Sequence, residues 1–152
     1  MEIIVIILVN IIDRLSKIWA STTLKDYDDI VVIKNIFSLS YLENRGAAWG
    51  IFQNKTIFLL IITIIVMIGI IYFLYRYKPK SRIMRIGLSL IVAGALGNMY
   101  DRITHKYVVD FIYFHYKDVY SFPTFNIADM SVVIGTILLA WCLIKDDNNG
   151  TF

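Results

Sequence analysis

The stretch TIFLLIITIIVMIGIIYFLY, residues 56–75, decides the fold. It carries no charged residue. As a helix rising 1.5 Å per residue it is about 30 Å long, the thickness of a bilayer's hydrocarbon core. Its apolar residues run nearly unbroken rather than along one stripe, so no face is left for water. The reading is a transmembrane helix. Directly after it come Arg76, Lys78, Lys80, Arg82 and Arg85. Cations concentrate in short cytoplasmic loops, which places this connection on the cytoplasmic side.

Three further blocks are long and apolar enough to pair with this helix. Working outward, the expected spans are 2–21, 56–75, 83–102 and 126–145, joined by an outer loop over 22–55, a cytoplasmic loop over 76–82 and an outer segment over 103–125. The first block is cut by Asp13, Arg14 and Lys17, lacks a basic n-region and has no small-x-small cleavage site. It reads as a retained helix rather than a signal peptide. Four helices put both termini in the cytoplasm. The fold expected is a single all-α membrane domain over 1–152, a four-helix bundle. Within 22–55, Val31-Val32-Ile33 and Phe37-Ser38-Leu39-Ser40-Tyr41 have strand composition, so a small extracytoplasmic sheet is expected there. The outer segment over 103–125 is rich in Tyr and Phe, residues suited to headgroup level.

Composition agrees with a lipid solvent. Hydrophobic residues make up 58% of the 152-residue chain and charged residues 18%, against about 25% in a soluble domain. No basic tract interleaves with aromatics, which sets nucleic-acid binding aside. His105 and His115 lie ten apart in a polar stretch and read as interfacial residues. With one cysteine, Cys142, read as a small buried residue, there is no disulfide and no metal-ligand spacing. No metal or other cofactor is expected.

The charges that remain are informative because an ionisable group in a membrane span costs roughly 2.5–3.5 kcal/mol. They are not scattered. Asp13 and Lys17 are four apart on one helical face. Asn98, Asp101 and Arg102 end the third helix, and Asn126 and Asp129 open the fourth. Asp110 interrupts the apolar run Val108-Val109-Asp110-Phe111-Ile112. The topology collects all eight at the outer level of the bilayer. The loop sequence Asn44-Arg45-Gly46-Ala47-Ala48-Trp49-Gly50 adds polar groups beside small residues. Neither histidine pairs with a buried serine, so a serine triad is excluded. Two carboxylates sharing one proton perform acid–base hydrolysis without one: the ionised member takes a proton from water and the neutral member polarises the carbonyl. Asp110 and Asp129 suit this, each standing in apolar sequence with no adjacent cation. Asp13 beside Lys17, and Asp101 beside Arg102, suit bracing ion pairs.

In chain order these segments resemble the lipoprotein signal peptidase family, signal peptidase II. Asp13-Arg14-Leu15-Ser16-Lys17 resembles the family's D-x-x-S/T-K. The segment 44–50 resembles N-x-G-A-A/S-F/W-G, and 93–102 resembles G-G-A-x-G-N-x-x-D-R. Val108-Val109-Asp110-Phe111 resembles V-V-D-F, and Phe125-Asn126-Ile127-Ala128-Asp129 resembles F-N-x-A-D. The resemblance implies a four-helix membrane bundle with an outward β-cradle and a short interfacial helix. It implies an aspartic endopeptidase of the bacterial plasma membrane, its site toward the outer face. Its substrates would be lipidated prolipoproteins, cut N-terminal to a diacylglyceryl-modified cysteine. The dyad maps onto Asp110 and Asp129. Asp13, Lys17, Asn44, Gly46, Asn98, Asp101, Arg102 and Asn126 map onto binding or supporting positions. Membrane lipid as partner, activity as a monomer and inhibition by the cyclic peptide globomycin follow from the same likeness. Two departures stand out. Lys106 occupies the position where the family usually has glycine, and Ala93 replaces the first glycine of the third-helix motif. A rival from another class is a small four-helix proton-coupled transporter, for which Asp13 alone would supply the membrane carboxylate.

Overall fold

The computed structural model describes residues 1–47, 51–117 and 119–149. Among these are four helices, α1 (Glu2–Thr23), α2 (Thr56–Tyr77), α3 (Arg82–His105) and α4 (Ile127–Asn149), and four strands, β1 (Ile30–Ile33), β2 (Phe37–Asn44), β3 (Val108–Tyr116) and β4 (Tyr120–Ser121), in the order α1-β1-β2-α2-α3-β3-β4-α4. Helices α2, α3 and the Ile127–Lys145 part of α4 are long and apolar enough to cross a membrane. Helix α1 has the length, 22 residues, but not the composition. Two of its ions, Asp13 and Lys17, are internal to the bundle. Asp13 and Lys17 are 3% and 1% exposed, while Ile4, Ile7, Leu8, Ile11 and Leu15 face outward. The surface α1 shows to its surroundings is therefore mostly apolar, as expected of a helix in lipid.

Helix α3 is the hub, packing against α1, α2 and α4. Its seam with α4 is made of small residues. A Cβ on Gly94 would sit 2.2 Å from the Ala128 carbonyl oxygen, and one on Gly87 2.9 Å from that of Gly135. Such seams let two backbones touch where lipid supplies no hydrophobic drive for association. Helix α2 is peripheral. Only Met67 of it is fully buried, and Ile70 and Leu74 seat it on Met84 and Leu88 of α3 and Cys142 of α4. The expected burial of Cys142 is observed. At the basic-loop end, Ser81 caps α3 by accepting from the Met84 N–H at 3.3 Å, and Arg85 pairs with Glu2 of α1.

The sheet sits at the opposite end, where α1 finishes and α4 begins. Its order is β1-β2-β3-β4, antiparallel throughout. β1 and β2 arise from the two segments expected to form strands. β3 comes from the aromatic outer segment, which was read as headgroup-level packing; its β-branched and aromatic residues make it the longest strand. Alternation along β3 divides its side chains. Val109 and Phe111 pack with Ala20 and Leu24 of α1, whereas Val108 and Asp110 face a cavity. Among the described residues no short interfacial helix is present. Residues 51–54 form turns, and Phe52 and Asn54 there hold left-handed backbone angles, φ 58° and 59°, that break a helix.

Lys106 ends α3 in the left-handed conformation, φ 68°, its N–H bonded to the Arg102 carbonyl. That is the backbone state glycine adopts without steric cost.

Candidate active site

Asp110 and Asp129 reach one site from different elements. Asp110 sits on β3, paired in register with Leu42 of β2. Asn44 lies two residues beyond Leu42 on the same face, and its amide donates to Asp110 Oδ2 at 2.9 Å. Asp129 sits in the first turn of α4. It receives the Asn98 amide at Oδ1, 2.7 Å, and the Asn126 N–H at Oδ2, 3.2 Å. The Asn126 amide joins the two halves. Its nitrogen donates to Asp110 Oδ1 at 2.7 Å, and its oxygen accepts from the Asp129 N–H at 2.9 Å.

Both carboxylates line a cavity of about 700 Å³ together with Asn44, Asn98 and Arg102. The cavity is polar at that end and apolar along α4, where Met130, Val133 and Ile134 line it and are themselves exposed on the outer surface of the helix. It thus opens sideways, toward where lipid would lie. Asp110 is 1% exposed. Burial first, and then the charge of Asp129, push its carboxyl up to about 7. A buried carboxylate and a half-buried one on the same cavity resist double ionisation. Among the described residues no group of His, Cys, Asp and Glu is arranged to hold a metal.

Behind the cavity lies a buried ionic cluster. Lys17 Nζ sits 2.9 Å from Asp13 Oδ2, 3.0 Å from Asp101 Oδ2 and 3.0 Å from Asn98 Oδ1. Asp13 turns its other oxygen to the Ala128 N–H at 2.9 Å, gripping the first turn of α4. Asp101 also accepts from the Val109 N–H at 3.4 Å, which ties α3 to β3. Desolvating three charges is costly, and two ion pairs together with the Asn98 hydrogen bond work against that cost.

One expected pairing is different. Asp101 pairs with Lys17 and, at 3.4 Å, with Arg14; Arg102 instead donates to the Gly46 carbonyl at 2.9 Å and lines the cavity. Neighbours on a helix point about 100° apart, so sequence adjacency does not make a pair. Arg14, whose guanidinium also lies 4.8 Å from the Tyr100 ring centroid, carried no signal in the sequence beyond its charge. Gly46 donates its N–H to Asn44 Oδ1 at 2.9 Å and leaves no room for a Cβ, which would meet the Ile51 carbonyl at 2.7 Å. Ala48, Trp49 and Gly50 of the same motif lie outside the described residues. His115 approaches Ser38 Oγ at 3.3 Å on the sheet, away from the dyad.

The family model for signal peptidase (SPase) II matches residues 5–145. The chain belongs to the signal peptidase II family. Among its relatives are the lipoprotein signal peptidases of Clostridium novyi, 58% identical over 146 residues with 96% of this chain and 99% of that one covered, and of Staphylococcus aureus, 42% identical over 148 residues with 97% and 90% covered. The structure is similar to that of a bacterial membrane enzyme solved by the in meso method, with a TM-score of 0.89 at 41% identity over 97% of this chain and 90% of that one. A second such membrane enzyme aligns with a TM-score of 0.83, also at 41% identity, over 95% and 93%. A family match over nearly the whole length covers the helices and the sheet alike, so the cavity described above belongs to the part of the chain that is shared.

Proposed function

We propose that this chain is an intramembrane aspartic endopeptidase that removes signal peptides from prolipoproteins, with Asp110 and Asp129 as the catalytic dyad. One observation carries the assignment. A buried carboxylate, Asp110, and a half-buried one, Asp129, reach a single cavity from separate elements, each held by amide donors and neither in an ion pair among the described residues.

The chemistry follows from one proton shared by two carboxylates. The ionised member draws a proton from a water held between them, and the resulting hydroxide adds to the scissile carbonyl. The protonated member gives its proton to the carbonyl oxygen as it becomes tetrahedral. Collapse then breaks the C–N bond: the amine leaves with the proton the first carboxylate had taken, and a hydroxyl of the tetrahedral diol returns its proton to the second carboxylate as the carbonyl re-forms. The dyad ends with one proton, as it began. Amides suit the support because they donate to the carboxylates without adding a charge that would hold both ionised.

The substrate reading rests on the shape of the cavity and on the family. A cavity open along α4 admits a signal helix and acyl chains from the bilayer, so the lipidated cysteine stays at a fixed depth. The cut is then N-terminal to a diacylglyceryl-modified cysteine. Cations at 76–85 set the basic loop on the cytoplasmic side and the dyad toward the outer face. One chain supplies every group named, in keeping with activity as a monomer. The transporter reading loses ground because the buried charges gather at the sheet end beside a cavity.

The test is a gel-shift cleavage assay on a diacylglyceryl-modified prolipoprotein in micelles, beside its unlipidated form. Wild type cleaves only the lipidated form, and folded Asp110→Asn and Asp129→Asn are inactive. Turnover by either variant near the wild-type rate removes that carboxylate from the dyad.

A further inference from the structure

Three amides donate to the dyad, and each serves only if its nitrogen, not its oxygen, faces the carboxylate. A reversed amide sets oxygen against oxygen. Orientation is therefore functional, and it is fixed by whatever donor engages the amide oxygen. For Asn44 that donor is the Gly46 N–H at 2.9 Å, and for Asn126 it is the Asp129 N–H at 2.9 Å. Backbone N–H groups cannot reverse their role.

Asn98 has no such backbone donor among its described hydrogen bonds. Its oxygen faces the Lys17 ammonium at 3.0 Å and the Asn126 amide at 3.2 Å. The Asn126 nitrogen also contacts Asp110 at 2.7 Å and the Val109 carbonyl at 3.3 Å, so its two hydrogens are shared among three acceptors. An ammonium has three donors and no acceptor. Lys17 directs those donors to Asp13, Asp101 and Asn98 and is 1% exposed, held in place by two carboxylates. It can only donate, so only the Asn98 oxygen can face it.

We propose that Lys17 is a positioning residue for catalysis, acting through Asn98: its ammonium fixes the amide so that the nitrogen is aimed at Asp129 Oδ1, 2.7 Å away. The ion cluster on α1 and α3 thereby has a second role besides joining helices. This rests on the dyad assignment above.

Removing Lys17 alone strands two buried carboxylates, so the test is made in an Asp13→Asn background. There Lys17 keeps Asp101 and Asn98. Taking Lys17 to Met in that background restores the cluster's net charge of −1 (wild type: two aspartates, one lysine) and leaves Asp101 with Arg14 and the Val109 N–H. The expected result is a kcat lower by about tenfold or more with KM little changed. The pH–rate profile changes relative to Asp13→Asn, because Asp129 loses an oriented donor. Asp13→Asn alone is the reference for both measures, since Asp13 itself grips the Ala128 N–H. A double-mutant cycle isolates the path. Once Asn98→Ala is present, Lys17→Met costs no further kcat. A folded Asp13→Asn/Lys17→Met enzyme with the pH profile of Asp13→Asn overturns the proposal, as does additivity with Asn98→Ala. Activity in Asp110→Asn or Asp129→Asn would instead overturn the dyad assignment, so the two failures are distinguishable.

Discussion

Asn126 and Asp129 cap each other at the start of α4. The Asn126 side-chain oxygen accepts the Asp129 N–H at 2.9 Å, and the Asp129 carboxylate accepts the Asn126 N–H at 3.2 Å. This is the reciprocal arrangement of a capping box, with aspartate in the place of the usual glutamate. One dyad member is thus held by the geometry that begins its helix. The Asn126 nitrogen remains available to Asp110.

Two substitutions separate these roles. Asn126→Ala loses the cap, costing about 1 kcal/mol, and loses the Asp110 donor with it. Asn126→Ser keeps a good capping oxygen but has no amide to reach Asp110. The serine variant is expected to melt close to wild type yet turn over about tenfold or more slowly, whereas alanine loses both properties. Melting curves and kcat on the same preparations check this. Equal turnover by Asn126→Ser and wild type would show that Asp110 does not need the amide.

The dyad also gives stability a pH dependence of known sign. Asp110 is pushed up to about 7 by burial and by Asp129, while in the unfolded chain an aspartate titrates near about 3.9. The native state then binds this proton more tightly than the unfolded one. Its contribution is complete below about pH 4 and is lost as pH rises to about 7. The wild-type melting temperature is expected to fall across that window, and Asp110→Asn to flatten the fall. Parallel slopes would place the buried charge elsewhere.

Much of this site was legible because charge in an apolar run is expensive. Asp110 inside Val108–Ile112 and Asp129 just inside α4 stand out on that ground alone, and the bundle topology puts them at one level. Partner choice was not legible. That Asp101 turns to Lys17 and Arg14 rather than to Arg102 depends on how α1 and α3 are rotated against each other, which no local pattern encodes. Nor was β3, since a short apolar aromatic run reads equally well as strand or as interface packing. The contact of Lys17 with Asn98 spans 81 positions and follows only from the packed helices.

Two helical glycines, Gly94 on the α3–α4 seam and Gly69 on α2, are expected to give opposite outcomes. Gly94→Ala drives a Cβ to 2.2 Å from the Ala128 oxygen and 2.8 Å from Val132 Cγ2. The obstacle is backbone, so the helices must part. Because Ala128 adjoins Asp129, turnover should fall together with the melting temperature. Gly69→Ala on α2 meets nothing within 4 Å and gains helix propensity, roughly 0.5–1 kcal/mol. It should melt at or slightly above wild type with full activity. A Gly94→Ala protein matching Gly69→Ala in both measures would mean that the seam opens freely.

Lys106 supplies the last test, since this chain puts a side chain where the backbone is left-handed, φ 68°. The exposed Lys106 donates to the Ile103 carbonyl at 3.4 Å, a hydrogen bond too long to offset strain of about 1–2 kcal/mol. Lys106→Gly is expected to raise the melting temperature by a few degrees and to leave the approach to Val108 and Asp110 unchanged, because glycine accepts the same angles. Lys106→Val should do the reverse, a β-branched residue being the least tolerant of positive φ. If Lys106→Gly is as stable as designed but slower in kcat, the side chain contributes to turnover beyond its role in the turn. If it melts lower than wild type, the left-handed angle is not the state the chain adopts there, and the path from α3 into β3 must be redrawn.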